Sequence, residues 1–169
     1  MAATTVRRYL DALCAGLVLR QLLPWHENLG KRQIKAPKIY VADPGLLHTL
    51  LNLPARHEIT GHPKVGASWE GFALEEVVTR LGARPEECFF WGSHGGAELD
   101  LLVIRGSVRL GFEFKYTAEP RTTRSMHTAL VDLALDRLDV VHAGLHTFPL
   151  TDRIRAISLH RLLVDLAPL

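Results

Sequence analysis

Ala97-Glu98-Leu99-Asp100-Leu101-Leu102-Val103-Ile104-Arg105-Gly106-Ser107-Val108-Arg109-Leu110-Gly111-Phe112-Glu113-Phe114-Lys115-Tyr116 is the stretch that decides the fold. Two alternating runs flank a turn dipeptide, the pattern of an antiparallel hairpin with strands over 97–104 and 108–116. Successive side chains point to opposite faces of a strand. Leu99, Leu101, Val103, Phe112, Phe114 and Tyr116 therefore make an apolar face to be buried, and Glu98, Asp100, Glu113 and Lys115 share the other. With Arg105-Gly106 as a two-residue loop, Ile104 pairs with Ser107. Asp100 then falls opposite Gly111, and Glu98 opposite Glu113.

Carboxylates set directly opposite repel, which is a poor choice for a merely structural hairpin. A hard divalent ion removes the penalty. Mg²⁺ takes oxygen ligands from one or two carboxylates and keeps several waters. It polarises a phosphoryl oxygen and acidifies a bound water, while a nearby lysine orients that water or stabilises developing charge. Asp100, Glu113 and Lys115 are thus the candidate catalytic residues, with Mg²⁺ or Mn²⁺ as cofactor. Glu98 is more simply read as a partner of Lys115 or of an arginine.

The helix expected over 64–81 supplies an independent clue. On a wheel of about 100° per residue, Trp69, Ala73, Leu74, Val77, Val78 and Leu81 form one apolar stripe. Glu70 falls inside it, Glu75 points roughly opposite, and Glu76 sits near one edge. A carboxylate on the core side of a helix is costly unless paired or liganded. Glu70 joins Asp100 and Glu113 as a candidate metal ligand.

Around this core the spacing predicts a helix over 4–15 with an apolar stripe of Val6, Leu10, Leu13, Cys14 and Leu17. Strands over 17–23 and 38–42 follow, then a helix over 46–53 opened by Asp43-Pro44. Residues 55–63 read as a boundary without a helix, Gly61 and Pro63 being turn formers. Beyond the hairpin come a helix over 120–135, strands over 138–142 and 154–157, and a last helix from Ser158 to Leu166. The expected organisation is a partial winged-helix-like module over 1–55 and an α/β domain over 64–169.

Twenty basic against 18 acidic residues leave a net charge of +2, so a nucleic-acid partner must be argued from local clusters. Arg7 and Arg8 on the first helix, Lys31, Arg32 and Lys35 at the ribbon tip, and Arg121 and Arg124 after the hairpin could contact DNA phosphates. The plainer reading of each is a solvated face, and the same holds for His94 in its Gly-rich turn. Cys14 and Cys88 are far apart, no apolar run is long enough to span a membrane, and a reduced cytoplasmic protein is expected. His57-Glu58-Ile59-Thr60-Gly61-His62 has one residue too many for a zinc-protease motif.

The blocks Gly66-Ala67-Ser68-Trp69-Glu70-Gly71-Phe72, Phe90-Trp91, Gly96-Ala97-Glu98-Leu99-Asp100 and Glu113-Phe114-Lys115 resemble a large bacterial and archaeal family of unknown function. So do Thr5-Val6-Arg7-Arg8-Tyr9-Leu10 and Pro37-Lys38-Ile39-Tyr40-Val41-Ala42-Asp43-Pro44-Gly45-Leu46-Leu47. Members of that family form the C-terminal region of predicted AAA-type ATPases, a region placed among PD-(D/E)xK nuclease-like folds. The resemblance implies a restriction-endonuclease-like core, a mixed sheet flanked by helices, with Glu70, Asp100 and Glu113 at the acidic positions and Lys115 at the lysine. Nuclease activity is not an established property of the family. No G-x-x-x-x-G-K-[ST] phosphate loop occurs, so the chain is expected to lack the ATPase core and not to act as an ATPase by itself. Two functions follow as expectations: a metal-dependent endonuclease acting on DNA, or a non-catalytic DNA-binding or regulatory domain of such an ATPase.

Overall fold

The computed structural model describes residues 3–26 and 36–169. Among these, an eight-stranded mixed sheet runs in the order β2-β1-β3-β4-β5-β6-β8-β7. Its strands are β1 (Leu19–Pro24), β2 (Lys38–Val41), β3 (Cys88–Gly92), β4 (Glu98–Arg105), β5 (Val108–Lys115), β6 (Arg137–His142), β7 (Phe148–Pro149) and β8 (Ile154–Ser158). The pairs β1–β3, β5–β6 and β6–β8 are parallel, and the other neighbours are antiparallel. The helices are α1 (Ala3–Ala15), α2 (Pro44–Leu50), α3 (Arg56–Gly61), α4 (Val65–Leu81), α5 (Arg124–Asp132) and α6 (Leu162–Asp165).

Both faces of the sheet are covered. Leu74, Val77, Val78 and Leu81 of α4, with Leu162 and Leu166, bury Leu101, Val103, Phe112, Phe114, Val141 and Ile157 on one side. Met126, Ala129, Leu130 and Leu133 bury Leu99, Leu102, Leu138, Val140 and Ile154 on the other. The predicted stripe of α4 is therefore the one that packs. That helix stops at Gly82, whose φ of 60° lies in the left-handed region that glycine enters without a Cβ penalty. Helix α5 starts later than the spacing predicts because Thr123 caps it, its Oγ1 accepting from the Met126 amide at 3.3 Å.

The hairpin differs from its predicted register by two residues. Arg105 pairs with Val108, which makes Gly106-Ser107 the loop, with Gly106 at φ 61°. A second departure lies in β4. Phe89 pairs with Leu102 and Trp91 with Leu99, so β4 carries one extra residue between those positions, a β-bulge. The bulge reverses the alternation. Leu99 turns toward α5, while Leu101 and Val103 turn toward α4. The single apolar face read from the sequence is in fact split across the sheet at Asp100.

Strand β1 pairs in parallel with β3 and so extends the sheet. Arg20 of β1 also forms an ion pair with Glu75 of α4, with a second contact at 2.7 Å, so Glu75 does not face solvent as the wheel predicts. Helix α3 occupies part of the stretch expected to lack a helix. Its start is held by Glu58, whose carboxylate accepts from the Ala55 amide at 2.9 Å. The predicted stripe of α1 is not a buried one, for Val6, Leu13 and Leu17 remain exposed. Among the described residues, no helix is long and apolar enough to cross a membrane.

Glu87, at the entry to β3, closes a network that ties β4 to the C-terminus. It accepts from Arg105 Nη2 at 2.7 Å and from the Arg84 amide at 2.8 Å, while Arg105 Nη1 donates to the Leu169 carbonyl at 2.8 Å. The Arg105 hydrogen bonds hold the Glu87 carboxyl well below the usual carboxylate range. A carboxylate whose folded pKa is depressed stabilises the fold above its unfolded value of about 4.3, and that stabilisation is lost as pH falls. Glu87→Gln is expected to lower the melting temperature at pH 7 and to flatten the loss of stability in acid, measured by thermal unfolding across pH 3–7.

Candidate functional site

The candidate site forms where β4 and β5 part. Ladder pairing between them ends at Leu101↔Phe112, and one further step of that register brings Asp100 level with Glu113 rather than with Gly111. The bulge frees Asp100 from the ladder, and its side chain takes over an acceptor's role. Asp100 Oδ2 accepts from the Phe114 amide at 3.2 Å. Lys115 Nζ lies 2.7 Å from Glu113 Oε2 and 3.8 Å from Asp100 Oδ2. Two acids and a lysine that the sequence placed on one face thus meet through a local break in that face.

The electrostatics are those of crowded anions. The Glu113 carboxyl is pushed up to about 7, chiefly by burial and then by the charge of Asp100, against the opposing pull of Lys115. Burial alone would lower Lys115, but Glu113, Asp100 and Glu70 outweigh it and the net shift is upward. Lys115 therefore stays an ammonium, a donor and a stabiliser of negative charge rather than a base. Its side chain is 41% exposed, against 8% for Glu113. The cluster opens to solvent on its lysine side.

Glu70 of α4 reaches this cluster through a residue that sequence reasoning missed. Lys38 of β2 lies 3.4 Å from Asp100 Oδ1 and 3.8 Å from Glu70 Oε1. Tyr40, two positions along the same strand, donates its hydroxyl to Glu70 Oε1 at 2.6 Å. The alternation Lys38-Ile39-Tyr40 puts both side chains on one face, but nothing local says that this face meets α4 and β4. Among the described residues, no three His, Cys, Asp or Glu side chains are gathered into a group that could hold a metal ion. The acids are interleaved with the two lysines instead.

The other predicted residues lie further out. Arg121 lines a cavity of about 740 Å³ with Pro120, Gly144 and His146, beyond the end of β5. Arg124 is exposed in the first turn of α5, and His94 is exposed in the turn before β4. Arg7 and Arg8 are exposed on α1, which packs on β1, two strands from β4. Lys31, Arg32 and Lys35 lie outside the described residues. Glu98 is exposed at the start of β4, where its amide donates to Ser125 Oγ at 2.9 Å.

Models of two domains of unknown function match the chain, DUF8612 over residues 1–57 and DUF4143 over residues 65–162. An uncharacterized protein of Mycobacterium tuberculosis, Rv2008c, is 49% identical over 163 residues, which is 96% of this chain and 36% of that protein. Mb2031c of Mycobacterium bovis, likewise uncharacterized, matches with the same identity and coverage. The chain thus spans little more than a third of the length of these curated relatives. No solved structure matches it.

Proposed function

The chain belongs to the DUF4143 family of domains of unknown function, and we propose that its Asp100–Glu113–Lys115 cluster is a metal-dependent nuclease site acting on DNA, in a restriction-endonuclease-like fold of the PD-(D/E)xK type. The observation that carries this reading is the convergence at the bulged end of β4, where the hairpin register sets Asp100 level with Glu113 and its carboxylate lies 3.8 Å from the Lys115 ammonium. A strand gives up ladder pairing there in exchange for a concentration of like charge, a poor bargain for structure alone.

The donor set fits a hard divalent cation. Asp100 and Glu113 offer carboxylate oxygens, the Phe114 carbonyl is a third candidate, and Glu70 is linked to Asp100 through Lys38. When bound, such an ion supplies charge neutralisation at a phosphoryl oxygen and acidifies water. The chain's own residues do the rest. The Phe114 amide fixes the orientation of Asp100, and Lys115 donates to the attacking water or to the phosphate as charge develops. Arg121 and Arg124, exposed beyond the end of β5, would follow a nucleic-acid backbone. The family resemblance supports association with an ATPase core, carried on the same polypeptide or by a partner, and the free cysteines Cys14 and Cys88 support a cytoplasmic setting.

The tight Lys115–Glu113 pair favours a second reading, a non-catalytic DNA-binding or regulatory domain that keeps the fold as scaffold. Metal titration separates the two. Calorimetry with Mn²⁺ on the native chain should show one site, weakened by more than about tenfold in Asp100→Asn and in Glu113→Gln. A native chain that takes up neither Mn²⁺ nor Mg²⁺ sinks the enzymatic reading and leaves the scaffold.

A further inference from the structure

We propose that Lys38 belongs to the site as an internal counter-cation, holding Asp100 and Glu70 together until a divalent ion takes its place. The inference rests on the metal-dependent reading and adds to it a residue from a different segment of the chain. Lys38 lies on the edge strand β2, inside residues 1–57, whereas the acids it bridges lie in β4 and α4, inside 65–162. Its ammonium approaches one oxygen of each acid, at 3.4 Å and 3.8 Å, and sits 5.5 Å from the centre of the Phe90 ring. The side chain is 29% exposed, so the pair is sheltered from the screening that makes surface ion pairs nearly worthless.

The rest of β2 is fitted to the same purpose. Tyr40 holds Glu70 by its hydroxyl, and its ring lies against Gly71 of α4, where even a Cβ would stand 3.4 Å from the ring. Asp100 is held on both oxygens, Oδ1 by Lys38 and Oδ2 by the Phe114 amide. With all three acids ionised, three carboxylates face two ammonium groups and leave one net negative charge. A divalent ion that takes the place of Lys38 brings the three carboxylates and Lys115 to neutrality. A divalent ion held by Asp100 and an ammonium beside the same carboxylate would repel strongly in this half-buried setting. Lysine suits an occupant that must leave, being a compact charge on a flexible stem. The site as proposed is completed by the N-terminal ribbon, and residues 65–162 alone would hold Asp100 and Glu70 without their bridge.

Removing the Lys38 charge should therefore strengthen metal binding, the opposite of what loss of a merely structural pair would do. Lys38→Met keeps the stem over Phe90 and deletes the charge. Calorimetric titration of the full chain with Mn²⁺ should show this variant binding about tenfold more tightly than the native protein, with Lys38→Arg within about threefold of native. Native protein supplies a second readout that requires no variant to fold. Acetylation of Lys38 by acetic anhydride, followed by peptide mass spectrometry, should rise several-fold as Mg²⁺ saturates the site. Equal or weaker Mn²⁺ binding by Lys38→Met, or Lys38 labelling that ignores saturating Mg²⁺, overturns the inference while leaving the metal site standing. Absence of divalent binding by the native chain and both variants overturns the metal reading, and this inference with it.

Discussion

Lys115→Ala should reduce metal-dependent DNA cleavage by at least about a hundredfold, with the loss in kcat rather than in KM. Lys115 touches both Glu113 and Asp100, and it is held as an ammonium by them. A donor aimed at charge that appears only in the transition state contributes little to ground-state binding. The fold should survive the change, because the side chain is 41% exposed and lies at the end of β5 rather than in either apolar cluster. Circular dichroism on the same sample separates loss of chemistry from loss of structure. A parallel fall in helical signal would assign the effect to folding. Lys115→Arg should recover only part of the rate, since a planar fork replaces a compact charge.

Phe112→Ala should cost about 3–5 kcal/mol of stability, read from urea denaturation midpoints. Phe112 is fully buried between Gly111 and Glu113, packs under α4, and pairs with Leu101 at the last rung before β4 and β5 part. Truncating it leaves a cavity directly beneath the strand that carries Glu113 and Lys115. Against a typical total of about 5–15 kcal/mol for a domain, the loss leaves a marginal protein. Its activity should fall with the folded fraction and return at low temperature or in stabilising salt, where Lys115→Ala stays inactive. A midpoint within error of native would mean that the core packs differently from the account above.

Much of this could be read from local pattern. The stripe of α4, the Asp43 and Gly82 caps and the existence of the β4–β5 hairpin all depend on residues within a few positions of one another. Asp43 Oδ1 does accept from the Leu46 amide at 2.7 Å, as Asp-Pro at a helix start predicts. The register was less accessible. Arg105-Gly106 and Gly106-Ser107 are both sensible loops, and the pairing of Arg105 with Val108 in the folded ladder selects the second. The bulge at Asp100 leaves no trace in the alternation of Leu99, Leu101 and Val103, which reads as one face and folds as two. The two-residue shift of the hairpin register nevertheless brings Asp100 level with Glu113, closer than the predicted register allowed.

Long-range pairing accounts for the rest. That β1 lies parallel to β3, and that Lys38 meets Asp100 across 62 positions of sequence, are facts of tertiary packing that no window of residues contains. Glu70 stands out as an acid on an apolar helix face, and in the fold it is paired with Tyr40 and Lys38. Its partner could not be named, because Tyr40 and Lys38 looked like ordinary members of a short strand. The acids of the site were thus legible, while the cations and hydroxyl that hold two of them were only partly so.

The most direct measurement is incubation of the native chain with duplex, single-stranded and nicked DNA in Mg²⁺ or Mn²⁺, with Lys115→Ala alongside. The account predicts metal-dependent products from at least one DNA form, abolished by EDTA and all but lost in the variant. No cleavage of any form in either metal, or cleavage undiminished in Lys115→Ala, contradicts it.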